Sequence, residues 1–208
     1  MYMRNVTPKK ISFSKIEIDH LMKSWIAISI AFAIAMAGFN ILSVNFYTVL
    51  LISLFTVGTG FLIHELSHKF TAQYFRCYAE YRANFQMLFL AILMSFMGVI
   101  FAAPGAVMIS GHLNRKERGI ISLSGPLSNI VLAFIFLMIG IFAGSGILNV
   151  VALYGFSINA WLALFNLIPF AMFDGKKIFQ WDKKIYFIVV GVFLVIRISG
   201  GIVLGIGL

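Results

Sequence analysis

The sequence contains a single cysteine, Cys77, among its 208 residues. One cysteine excludes an internal disulfide and a zinc cluster built from cysteine ligands. Charge is scarce as well, because Asp, Glu, Lys and Arg make up 11% of the chain, whereas soluble domains carry about 25%. Internal repeats and low-complexity tracts are also missing. These absences argue against a disulfide-stabilised fold and against an ordinary soluble domain.

Apolar residues are what the chain has in excess, at 61% of the sequence. Because a membrane-spanning helix needs about 20 such residues in succession, the long apolar runs predict an all-α polytopic membrane protein. We expect five to six transmembrane helices within a single membrane-embedded domain, residues 1–208. The expected spans cover residues 22–43, 46–72, 119–143, 147–173 and 185–208.

The net charge of +9 comes from sixteen Lys and Arg residues that occupy short loops and tails. This distribution fits membrane topology, in which basic residues stay on the cytoplasmic side, better than it fits nucleic-acid binding. We therefore expect the lipid bilayer, and no nucleic acid, as a partner. Residues 1–21 are expected to form a cytoplasmic tail.

Residues 85–109 are long enough to cross the membrane once, yet the segment that follows, residues 114–118, is basic. A simple crossing would place those charges outside, against the usual distribution. The sequence therefore favours a re-entrant or strand-like segment that turns near Gly98 and returns on the cytoplasmic side, with a simple span as the alternative. Residues 106–109 are candidates for an edge strand.

The apolar run of residues 46–63 continues directly into His64-Glu65-Leu66-Ser67-His68. Positions i and i+4 share one helix face, so His64 and His68 can hold one metal ion, with Glu65 beside that face. Zinc peptidases use this pattern, with the glutamate as general base. The alternative, two histidines satisfied by packing, is disfavoured inside a span, because hydrocarbon offers them no water.

Two further segments carry polar groups next to apolar spans. Asn129 lies in Gly125-Pro126-Leu127-Ser128-Asn129, where small residues suit helix packing but a buried amide needs a partner. Asp174 follows a helix break at Pro169 and precedes a basic loop. Because catalytic zinc takes three protein ligands and keeps one position open, Asp174 is the best candidate for the third ligand. Its alternative role is an aspartate at a helix end, paired with nearby lysines.

Together these segments, with Asn166-Leu167-Ile168-Pro169 leading to Asp174-Gly175, resemble the site-2 protease family of intramembrane zinc metalloproteases, in a compact form without a PDZ domain. The resemblance implies that His64, His68 and Asp174 bind one Zn²⁺ per chain and that Glu65 is the general base. It also implies that Asn129 helps to hold the substrate backbone or the developing oxyanion. Ser67 and Phe173 depart mildly from the family pattern, which often has Gly and Leu there.

The predicted function is therefore a zinc metalloendopeptidase of the cell membrane, multi-pass, with its active site toward the cytoplasmic side. Its substrate is expected to be a transmembrane segment of another protein. Two alternatives stay open: a non-proteolytic membrane protein that binds or transports metal, which needs a second polar site along its ion path, and a helix-binding pseudo-protease. The oligomeric state is open.

Overall fold

A computed structural model describes residues 11–38, 43–99 and 104–205. The expectations that concern residues 1–10, 39–42, 100–103 and 206–208 lie outside the described residues. The described chain forms α1 (Lys15–Ala37), α2 (Val44–Ser53), a π-helix (Leu54–Gly58), α3 (Thr59–Tyr74), β1 (Tyr78–Ala83), α4 (Phe85–Ser95), β2 (Gly105–Ser110), α5 (Arg115–Ala143), α6 (Ile147–Leu167), α7 (Asp174–Trp181) and α8 (Lys183–Leu204).

Five of these helical segments are long and apolar enough to cross a membrane: α1, the continuous segment Val44–Tyr74, α5, α6 and α8. This result confirms the predicted all-α polytopic class. The first span begins at Lys15 rather than at residue 22, because the Ser14 side chain caps the helix by accepting a hydrogen bond from the Glu17 N–H. Residues 15–21, expected in a tail, therefore belong to α1.

The second span is interrupted by the π-helix, whose wider turn leaves room for a side chain of α1. The indole N–H of Trp25 donates to the carbonyl oxygen of Leu54 at 3.1 Å. Gly58 allows this approach, since a Cβ there would lie 2.7 Å from the Ser29 hydroxyl and closer still to the Trp25 ring. This contact fixes the rotation of α3, which carries both site histidines, against α1.

The described ends of the segment between β1 and β2 lie next to each other. Helix α4 has 11 residues and reaches about 16 Å, roughly half of the hydrocarbon thickness. The N–H of Asn84 donates to the carbonyl of Pro104 at 2.8 Å, so both ends of the insertion lie together. Gly98, with a φ of 72°, lies where the turn was expected. The strand-like part of the interpretation is confirmed, with an edge strand over Gly105–Ser110, and the adjacent ends of the insertion favour a segment that turns back over a simple span.

Strand β1 pairs antiparallel with β2, and α1 covers its other edge. The N–H of Tyr81 donates to Glu17 Oε1 at 2.9 Å, and the N–H of Ala83 donates to His20 Nδ1 at 3.1 Å. Backbone groups alternate along an antiparallel strand. Val107, opposite Tyr81, therefore turns its own N–H and C=O away from β1. Among the described residues, no strand pairs with this edge of β2, which is called its free edge below.

Further helix boundaries differ from the expected ones, among them the end of α1, which lies at Ala37 rather than at residue 43. Helix α5 begins at Arg115 rather than at residue 119, because Asn114 and Glu117 form a reciprocal capping box. Helix α6 ends at Leu167 rather than at residue 173, since Pro169 cannot continue it. A buried apolar cluster joins α5, α6, α7 and α8, with Ile130, Phe156, Ile178 and Phe193 among its members.

Candidate active site

His64 and His68 lie one turn apart on α3 and are both buried, with 6% and 8% of their surfaces exposed. Their rings meet edge to face, and the two Nε2 atoms are 3.1 Å apart. The helical spacing read from the sequence therefore brings the two imidazoles to one point on the buried side of the span.

Asp174, the first residue of α7, completes the cluster. Its Oδ2 lies 3.0 Å from His68 Nε2 and 3.5 Å from His64 Nε2. Helix α7 begins in contact with the last carbonyl groups of α6, and this contact places Asp174 beside the two histidines. A Cβ at Gly175 would lie 2.7 Å from the Ile168 carbonyl oxygen and closer still to that of Leu167, so only glycine fits this approach.

The donor set fits a tetrahedral zinc ion. Ligand atoms about 2.0–2.1 Å from zinc are about 3.3 Å apart, and the three separations here range from 3.0 to 3.5 Å. The ring nitrogens facing away are engaged: His64 Nδ1 donates to Asn129 Oδ1 at 2.6 Å, and His68 Nδ1 donates to the Ile121 carbonyl at 2.7 Å. Each Nε2 therefore keeps its lone pair for a metal.

Asp174 has the charge state that a metal ligand requires. Burial raises the pKa of its carboxyl group, but His68 and His64 lower it more, so the pKa lies well below its usual range. Lys177 lies 3.6 Å from the other carboxylate oxygen, and its side chain is 55% exposed. The lysine pairing expected as the alternative role of Asp174 is thus present only at the surface.

Among the residues that the structure describes, His64, His68 and Asp174 form the only group of three or more His, Cys, Asp or Glu side chains that could hold a metal ion.

The comparisons with known proteins agree with this chemistry. A protein of Methanocaldococcus jannaschii is 40% identical to the chain over 180 residues, which make up 85% of this chain and 90% of that protein. It is named "Putative zinc metalloprotease". The chain belongs to this zinc metalloprotease family. No family model matches the chain, and no solved structure gives a significant match.

In this metalloprotease chain Glu65 lies beside the three candidate ligands without joining them. Its side chain is 9% exposed and lines the same cavity as His64 and His68. The backbone N–H of Val107 faces its carboxylate. The free edge of β2 therefore lies next to the carboxylate that was predicted to act as general base.

Asn129 lies behind His64 and is fully buried. Its amide nitrogen donates to the Gly60 carbonyl at 3.2 Å and to Asn159 Oδ1 at 3.0 Å. Since a carbonyl can only accept, the Asn129 oxygen must face His64. Asn159 is oriented in the same way, because its own amide donates to the Gly155 carbonyl at 2.9 Å. These contacts support a role in orienting His64, whereas a substrate-holding role for Asn129 stays a prediction.

Helix α5 needs a small residue at position 125, in its middle, because the two site histidines lie against it. A Cβ at this position would lie 2.5 Å from His68 Cε1 and 2.7 Å from His64 Cε1. The small-residue motif therefore brings α5 into contact with the two imidazoles, in addition to the helix packing that the sequence indicated.

A cavity of about 490 Å³ opens from the site between α1, α3, β2 and α6. Its walls are largely apolar and aromatic, and they include Ile28, Phe32, Phe61, Trp161 and Phe165.

Sequence reasoning missed three features of this site. Asn166, which belongs to a sequence motif but had no predicted role, lines the cavity, and Asn159 supports Asn129; both amides occur in an apolar span, a signal that could have found these roles. The third feature, the backbone N–H of Val107, has no sequence signal.

Proposed function

We propose that the chain is an intramembrane zinc metalloendopeptidase of the site-2 protease family that cuts transmembrane segments of other membrane proteins. The observation that best supports the proposal is that three groups lie together. They are a His-His-Asp cluster whose ligand atoms have the separations of a zinc site, the Glu65 carboxylate beside it, and the free edge of β2 next to that carboxylate. All three adjoin apolar helices long enough to span a membrane.

His64, His68 and Asp174 would hold zinc and leave its fourth position open. Bound zinc supplies Lewis-acid polarisation of the scissile carbonyl and activation of water. Glu65 accepts the proton of the attacking water and then delivers it to the leaving amine nitrogen. The N–H of Val107 faces the Glu65 carboxylate from the edge of β2 where the substrate binds. Asn129 and Ile121 hold the two imidazoles in the tautomer that offers Nε2.

The substrate backbone binds along β2. An extended peptide can add a strand to an open sheet edge, where main-chain hydrogen bonds hold it regardless of side-chain identity. A transmembrane helix must unwind locally to pair in this way. The apolar walls of the cavity suit the side chains that such a segment carries. Two supports for this step are the edge of β2 that no described strand pairs with and the position of the Val107 N–H beside Glu65.

The active site lies toward the cytoplasmic side of a multi-pass protein of the cell membrane. The support is the position of the basic residues. Lys69 and Lys177 adjoin the site, and Arg115 at the start of α5 donates to the Gln180 carbonyl at the end of α7. Basic residues cluster on the cytoplasmic side.

Metal transport is less well supported. A carrier needs further polar sites along its ion path, and the described residues hold one metal-binding group alone. A metal-transport function would also leave Glu65 and the free edge of β2 without a role.

The test is zinc content and cleavage, measured together on detergent-purified chain. We use a fluorogenic peptide with about 20 apolar residues and polar flanks as the probe. The native chain should hold about one zinc and cut the peptide. Glu65→Gln should keep the zinc and lose cleavage, while Asp174→Ala should lose both. Lys177→Ala, which removes the exposed partner of Asp174, is the matched control and should keep both.

Two results would contradict the proposed function. A native chain that is folded and zinc-loaded but does not cut the peptide would argue for a helix-binding pseudo-protease. A Glu65→Gln chain with native cleavage would remove this carboxylate from the chemistry.

A further inference from the structure

Lys69 directly follows His68, and its side chain is buried rather than solvated, with 1% of the residue exposed. Its ammonium group pairs with the carboxylate of Glu17 on α1, which has no exposed surface. The same nitrogen donates to the Ser12 carbonyl at 2.7 Å and lies 3.8 Å from the centre of the Phe13 ring. The metal-bearing helix is therefore tied to the start of α1 by a desolvated ion pair.

The Glu17 carboxylate makes a second connection through its other oxygen. Oε1 accepts the backbone N–H of Tyr81 at 2.9 Å, and Tyr81 lies opposite Val107 in the sheet. The Tyr81 hydroxyl is itself 2.9 Å from the Ser24 hydroxyl on the same face of α1. One carboxylate thus joins the residue after a candidate zinc ligand to the strand that pairs with β2.

We propose that Glu17 and Lys69 are positioning residues that set β2, and with it the bound substrate backbone, at the correct distance from the metal. This role rests on the proposed function, and the two residues perform it without touching the substrate. Neither charge can move away from the other without being left unpaired in a buried site, so the pair tolerates little displacement. Position matters here, because a shift of about 1 Å between reacting groups can cost roughly 100-fold in rate.

A double variant separates positioning from folding. Glu17→Gln with Lys69→Met removes both charges together and leaves no unpaired one. The glutamine oxygen can still accept the Tyr81 N–H, so β1 stays bound to α1 while the link to α3 is lost. Asp19→Asn is the matched control, since Asp19 forms an exposed pair with Lys23 on the same helix at 2.7 Å.

With the fluorogenic apolar peptide as substrate, the double variant should keep about one zinc per chain and the native unfolding temperature. Its kcat should fall about 10- to 100-fold, because the bound backbone is displaced from the metal, and its KM should rise about tenfold. The control should match the native chain in all four quantities. A merely structural pair would lower zinc content and kcat together with the folded fraction while KM stayed constant, and that result would overturn the positioning role.

A distance measurement gives an answer that does not depend on activity. Spin labels are placed at Met108→Cys on β2 and Tyr74→Cys on α3, positions 59% and 81% exposed, in a Cys77→Ala background. The distribution of distances between the two spin labels should be narrow when the Glu17–Lys69 pair is intact and clearly broader in the double variant. Equal widths would overturn the positioning role. Broadening in a chain whose native form does not cut the peptide would keep the positioning role and reject the proposed function.

Discussion

The side-chain oxygen of Asn129 accepts a hydrogen bond from Nδ1 of His64 at 2.6 Å. This contact joins α5 to the metal-bearing helix at a point where both residues are buried. Because the Asn129 amide is held by Gly60 and Asn159 behind it, the oxygen cannot rotate away from the imidazole. His64 is thus held in the tautomer that presents Nε2 to the cluster.

Asn129→Ala should weaken zinc binding by about 10- to 100-fold, the usual effect of removing a partner that orients a ligating histidine. Competition with a chelator of known affinity measures this change. Ser128→Ala is the control, since Ser128 is the next residue of α5 and bonds only to the Gly125 carbonyl. Native zinc affinity in Asn129→Ala would mean that Asn129 acts on substrate instead, as the family resemblance implied.

Gly125→Ala should displace the imidazoles, since the new methyl group has no space between His64 and His68. We expect at least a 100-fold loss of zinc affinity, because the two Nε2 atoms can no longer meet at one point. Zinc content after dialysis is the measurement.

Gly191→Ala is the control for Gly125→Ala, because Gly191 lies inside α8 with nothing within 4 Å of its Cβ position. It should be neutral or stabilising by about 0.5–1 kcal/mol, the helix preference for alanine. Full zinc content in Gly125→Ala would show that the close approach of α5 is not required.

The local parts of the site could be predicted from the sequence. His64, Glu65 and His68 share one helix, so their spacing alone defines their geometry. Asp174 was found because zinc requires a third ligand and a helix break precedes it. Helix α7 was not predicted, since its N-cap residue, Phe173, provides no side-chain hydrogen bond that would mark its start.

The long-range parts could not be predicted in the same way. The sequence indicated that the Asn129 amide needs a partner, but His64 is 65 residues away and nothing local identifies it. Strand β1 was not predicted, because Glu80 and Arg82 interrupt any apolar pattern there; the two side chains pair with each other at 2.7 Å. The burial of Glu17 and Lys69 likewise depends on the packing of α1 against α3.

Val107→Pro should impair substrate binding without breaking the sheet. Val107 directs its N–H away from β1, so proline removes a hydrogen-bond donor at the free edge and none from the β1–β2 ladder. We expect KM to rise by about tenfold or more and kcat to fall, because the substrate backbone loses this donor and is no longer held beside Glu65. Steady-state cleavage of the apolar peptide measures both. Val107→Ala, which keeps the N–H, is the control, and a proline variant with native kinetics would contradict pairing along β2.

Impermeant thiol labelling from each side of sealed vesicles should place β2 and the α5–α6 connection on opposite sides of the membrane. Met108→Cys should label only from the cytoplasmic side, and Ser145→Cys, exposed beyond the end of α5, only from the outer side. The native chain is the control: burial raises the pKa of the Cys77 thiol, and the residue is 2% exposed, so it should stay unlabelled at pH 7 until the protein is unfolded. Labelling of Met108→Cys from outside would reverse the proposed orientation, and labelling of both positions from one side would contradict the crossing of α5.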